Sequence, residues 1–77
     1  MDRDALLLLA LAHIVGDPTL RERFLALTGL DGASLRARAG EAATLAAVAQ
    51  FLAGHEPDLL AVARALGVEP DLLCGRS

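Results

Sequence analysis

The chain is cut at short intervals by single glycines followed by an acid, three of the acids leading directly into proline. Gly16-Asp17-Pro18, Gly29-Leu30-Asp31, Gly40-Glu41, Gly54-His55-Glu56-Pro57 and Gly67-Val68-Glu69-Pro70 each separate two apolar stretches. Glycine permits the left-handed exit from a helix, a carboxylate caps the next one, and proline fits the first turn, where a missing N–H costs nothing. The spacing predicts a helix from Arg3 to Val15 capped by Asp2, a second from Pro18 to Thr28, and a short third after Asp31 to Ala39. A fourth follows from Glu41 to Ala53, a fifth from Glu56 to Leu66, and a last turn begins at Glu69 and Pro70. Leu30 with Leu35, and Val68 with Leu73, have the spacing of hydrophobic staples. No stretch alternates with period two, so strands are not expected. The predicted fold is all-α: one domain over residues 1–77, a compact bundle of about five short helices plus a C-terminal helical turn.

The two halves carry one pattern. Gly16, Asp17, Pro18, Gly29, Leu30, Asp31 and Leu35 are matched by Gly54, Glu56, Pro57, Gly67, Val68, Glu69 and Leu73, at an offset of about 38 residues. Pseudo-repeated halves from an internal duplication would give this, and so would Ala/Leu-rich helices with ordinary caps.

The apolar faces predict the packing. Leu59, Val62, Ala63 and Leu66 form one stripe at i, i+3, i+4, i+7, and Leu45, Val48, Ala49 and Leu52 another, with Phe51 off it. Leu20, Phe24 and Leu27 line the second helix opposite Glu22 and Arg23. Leu6, Leu7, Leu8 and Leu9 sweep about 300° around the first helix. Such a helix is expected at the centre of the bundle, with one leucine edge left for a partner. Apolar residues make up 55% of the 77, more than so thin a core can hold, which again points to a second burial site such as a homo-oligomer interface.

The net charge of −3 disfavours general nucleic-acid binding, where affinity rests on neutralising phosphates. A single cysteine, Cys74, excludes an internal disulfide and suits a reducing cytoplasm. The apolar run from Ala5 to Ala12 follows Asp2, Arg3 and Asp4 and is short, so neither a signal peptide nor a membrane span is expected.

Chemistry-bearing residues are scattered. His13, His55 and Cys74 have no metal-ligand spacing; His55 belongs to the connection between the fourth and fifth helices, and His13 suits the carbonyls at the end of the first. Glu56 and Asp58 suit a helix N-terminus, where acids offset the dipole. Ser34 has no base beside it, nor has Cys74, which is expected in a frayed tail. No glycine-rich phosphate loop occurs. No catalytic residue, cofactor or metal is therefore assigned, and the chain is expected not to be an enzyme. Residues 18–40 hold Arg21, Arg23, Arg36 and Arg38 against Glu22 and Asp31, so a helix-turn-helix-like DNA-binding regulator over Phe24 to Arg38 is the alternative reading. A second such spacing, Val62 to Leu73, would present Glu69 and Asp71 to phosphates.

Phe24-Leu25-Ala26-Leu27-Thr28-Gly29-Leu30, then Ser34-Leu35-Arg36 and His55-Glu56-Pro57-Asp58-Leu59-Leu60, resembles an uncharacterised family of small bacterial helical proteins, a domain of unknown function marked by the FLALTGL segment. The resemblance covers nearly the whole chain. It implies a compact helical fold and brings no activity, cofactor or partner with it. Physically, Gly29 would allow a left-handed exit, Leu30 would fold back toward Leu25 in a Schellman contact, and Thr28 would bond a carbonyl one turn earlier.

The expected role is thus a non-enzymatic protein–protein interaction domain, an adaptor or a self-associating one. Candidate contacts are Leu7 on the first helix and the apolar-and-Arg surface of Phe24, Leu27, Leu30, Arg21, Arg36 and Arg38. The acidic C-terminal region (Glu56, Asp58, Glu69 and Asp71 against Arg64) would pair with that arginine segment head to tail between copies.

Overall fold

In the computed structural model, which describes residues 2–74, the punctuation produces six helices and, among those residues, no strand. They are α1 (Arg3–Gly16), α2 (Pro18–Thr28), α3 (Gly32–Ala37), α4 (Ala42–Ala53), α5 (Glu56–Leu66) and α6 (Pro70–Cys74). The expected helices are present with ends shifted by one or two residues, and the C-terminal turn is a short helix. Its last residue is Cys74, not part of a tail.

Carboxylate caps start α1, α2 and α3, whereas Glu41 at α4 makes no side-chain cap bond and the N-cap of α5 is His55, not Glu56, also without one. Asp17 is the only residue between α1 and α2 and serves both. Its N–H donates to the Ile14 carbonyl (3.1 Å), and its carboxylate accepts from the N–H groups of Thr19 (3.0 Å) and Leu20 (3.3 Å). Asp17→Ala should cost about 1 kcal/mol, which at this chain length lowers the Tm by roughly 4–8 °C; a calorimetric melt with no shift would show that the cap is not what fixes the corner.

Asp31 caps α3 through the Ser34 N–H at 2.7 Å. That bond first, then the Ser34 hydroxyl, holds its carboxyl below the ordinary carboxylate value. The cap is therefore intact above the normal carboxylate range and is lost only as pH falls through the lowered value. Gly29 (φ 74°) and Gly67 (φ 71°) take the left-handed exit. At Gly67 the Schellman pattern forms, with Val68 N–H on the Ala63 carbonyl and Gly67 N–H on that of Arg64. At Gly29 it does not. Gly29 N–H bonds the Leu25 carbonyl at 2.8 Å, the simpler αL motif. The Thr28 hydroxyl donates to the Phe24 carbonyl (2.9 Å) and accepts from Leu30 N–H (3.3 Å), so Leu30 N–H never reaches back.

One core forms around α1, which packs against α2, α4, α5 and α6. Leu6, Leu7, Ala10, Leu11 and Ile14 are buried on it. Across from them α4 buries Leu45, Val48, Ala49 and Leu52, and also Phe51, which lies off that stripe. Phe51 is fully enclosed, with Phe24 and His55 against its ring; α4 is also packed by α6, whose Leu73 is buried completely. Phe24 and Phe51 meet edge to face, centroids 5.5 Å apart at 87°, a geometry that adds about 0.5–1.5 kcal/mol to area burial. The His55 ring stacks on Phe51 at 4.8 Å, and its Nδ1 lies 2.8 Å from the Phe51 carbonyl oxygen. A carbonyl only accepts, so that nitrogen carries the proton.

The half-repeat is visible in α2 and α5, each 11 residues long and each followed by a left-handed glycine. The packing is not repeated: α6 is seated on three helices, whereas α3 packs extensively against none among the described residues. α3 is held through Leu35, which is buried. That difference opens the surface described next.

Candidate functional site

Two helical stripes one residue apart run along α1. Leu7, Ala10, Leu11 and Ile14 enter the core, while Leu8, Leu11, Ala12 and Val15 turn toward α3. α3 answers with a stripe of the same spacing, Gly32, Leu35, Arg36 and, just beyond its end, Ala39. Leu25 and Arg21, one turn apart on α2, line the third side. Because α3 stands off the bundle, these three walls enclose an open cleft of about 590 Å³, within the size range of ordinary ligand sites.

Leu11 and Leu35 are its buried floor, and Leu8 (40% exposed) and Val15 (38%) are its rim. Arg21 and Arg36 are exposed on that rim. Among the described residues, the one ion pair joins Arg23 to Asp58 at 2.8 Å, so neither rim arginine has a carboxylate partner. Among the described residues, no carboxylate lines the cleft. The arrangement can hold an apolar surface while pairing its negative charges, and offers no nucleophile or general base.

The structure divides the residues singled out from the sequence. Arg21 and Arg36 come together at the cleft. Leu27, Leu30 and Arg38 line a different and smaller groove, about 320 Å³, shared with Glu41, Thr44 and Gln50 of the α4 side. Leu27 lies on the face of Leu20 and Phe24, yet it is 58% exposed, whereas Leu25 and Leu30 on either side of it pack against the core. Leu7 and Phe24 are not surface residues at all. At 2% and 0% exposure they face the interior from the centre of the bundle, and neither can touch a partner. The acidic C-terminal region and the arginine segment do meet, but within one chain, through Asp58 and Arg23.

Of the residues lining the cleft, sequence reasoning assigned only Arg21 and Arg36; Leu8, Leu11, Ala12, Val15, Leu25 and Leu35 are among those it did not. The two stripes are legible as i, i+3, i+4, i+7 patterns, but their facing one another depends on the turn at Gly29. His55 belongs to the α4–α5 connection as expected. His13 is half-buried near the end of α1, and among the described residues no three His, Cys, Asp or Glu side chains gather where a metal could be held. No helix among them is long and apolar enough to cross a membrane.

The model of a family described as "Protein of unknown function (DUF3572)" matches residues 2–75. No curated protein and no solved structure matches the chain.

Proposed function

We propose that this chain, which belongs to the DUF3572 family, is a non-enzymatic protein–protein interaction domain whose working surface is the cleft between α1, α2 and α3. The observation that carries the reading is the cleft itself: Leu8 and Val15 exposed above a floor of Leu11 and Leu35, with Arg21 and Arg36 unpaired at the rim. Exposed apolar side chains are ordinary singly, but a concave, contiguous set held on short capped helices costs solvation without aiding the fold, and contact with another molecule would recover it. The arginines that a DNA duplex would need on one face are instead split between this cleft, the ion pair with Asp58 and the groove of Arg38. The chain has one cysteine, Cys74 at the end of α6, which supports work in a reducing compartment, the cytoplasm.

A photo-crosslinking amino acid at position 12, in the cleft, and at position 61, on the outer face of α5, tests this in the native host. The expected result is a discrete protein adduct from position 12 that disappears when Val15→Asp is added, with none shared by position 61. Identical adduct patterns from both positions, or adducts indifferent to Val15→Asp, would contradict the assignment.

A further inference from the structure

The cleft reading leaves the occupant open, and the charges and dimensions narrow it. The α1 wall spans i to i+7, two turns of helix or about 10 Å at 1.5 Å per residue, while the six-residue α3 faces it with Leu35. A two-turn apolar stripe along one side of a trough, with a leucine opposite, matches the anchor spacing of a helix lying in a groove. The rim carries two guanidiniums without acidic partners, so the lining of the cleft is positive in a chain whose net charge is −3.

We infer that the cleft receives an amphipathic helix of another protein, one with leucine-like anchors at i, i+3 or i+4, and i+7 and with Asp or Glu bordering them to pair with Arg21 and Arg36. This inference rests on the cleft being an interaction surface. A second copy of the chain does not fit. Pairing about a two-fold axis brings a patch against itself, and here it would gather four arginines around one apolar contact, a juxtaposition that disfavours association.

Nor does the chain offer a suitable acidic helix of its own. α6 has five residues and buries Leu73, and the outer face of α5, with Pro57, Leu60 and Ala61, includes Arg64.

The probe is a fluorescein-labelled helical peptide with Leu at positions 1, 4, 5 and 8 of its apolar face and Glu flanking them, compared with the same peptide carrying Lys for Glu. Full-length protein is titrated at low and moderate salt, with variant folds checked by circular dichroism. The Glu peptide is expected to bind at least about tenfold more tightly than the Lys peptide, to weaken with salt, and to lose about tenfold or more on combining Arg21→Glu with Arg36→Glu. That double variant should in turn prefer the Lys peptide, a reversal that simple loss of fold cannot produce.

Equal affinity for both peptides, or binding removed by Val15→Asp yet untouched by the double arginine variant, overturns the acidic occupant while leaving an apolar interaction cleft in place. Displacement of the peptide by a long-chain fatty carboxylate that binds more tightly assigns the cleft to a small amphiphile, which also overturns it. So does a dimer at tens of micromolar that Val15→Asp dissociates. Absence of any binding together with indistinguishable crosslinks from positions 12 and 61 removes the cleft reading as well.

Discussion

Leu7→Asp is expected to leave the chain unfolded at 25 °C, while Leu9→Asp, two residues away in the same leucine run, is expected to change stability by no more than about 1 kcal/mol. Leu7 is 2% exposed and Leu9 is 45% exposed. Removing a buried leucine forfeits about 2–3 kcal/mol of transfer free energy. A carboxylate put in its place must either be buried or be protonated, and either adds several kcal/mol. A domain of this length has about 4–12 kcal/mol in total, and a core this thin puts it in the lower part of that range, so a loss of about 5 kcal/mol or more removes most or all of it. At Leu9 the side chain already faces water, and the main cost is the poorer helix propensity of Asp. Circular dichroism with urea titration separates the two outcomes. Comparable losses at both positions would mean that α1 does not sit in the bundle with the face described.

Phe51→Ala should cost about 3–5 kcal/mol and leave at best a marginally folded chain. The ring is fully buried, edge-on to Phe24 and stacked under His55, so its loss opens a cavity where α2, α4 and the start of α5 meet. Phe51→Leu keeps most of the volume and should lose far less. A double-mutant cycle with Phe24→Leu and Phe51→Leu should return a coupling of about 0.5–1.5 kcal/mol from the edge-to-face contact. A cost below about 1 kcal/mol for Phe51→Ala, measured as a shift in urea midpoint at constant m-value, would show that this column is not the centre of the core.

These two residues also show where the sequence was legible. The caps were, because Asp17, Asp31, Gly29 and Gly67 act within a few residues of themselves and local chemistry decides them. The inward face of α5 was, because it has one stripe, Leu59, Val62, Ala63 and Leu66, of which the first three are buried and Leu66 is half-buried against the core. Leu7 was read as a partner contact because a helix apolar on every side gives periodicity nothing to resolve. Only the neighbours α2, α4, α5 and α6 decide which leucines are inside.

Phe51 lies off its stripe yet is buried, and Leu27 lies on its stripe yet is exposed: which side of a helix is covered is decided by its neighbours, which periodicity does not reveal. The cleft was out of reach on the same grounds. Its stripes at 8, 11, 12, 15 and at 32, 35, 36, 39 can be counted in the sequence, but the standoff of α3 from the bundle cannot.

The central claim is that the α1–α2–α3 cleft is the surface with which this protein works. Amide chemical-shift mapping of the isotope-labelled chain on addition of the acidic amphipathic peptide tests it most directly. The account predicts perturbations concentrated at Leu8, Ala12, Val15, Arg21, Leu25, Leu35 and Arg36, with the α5 face at Leu60 and Ala61 unmoved. Shifts confined to the groove of Leu27, Leu30 and Arg38, or to the α5 face, with the cleft amides unchanged, would contradict it.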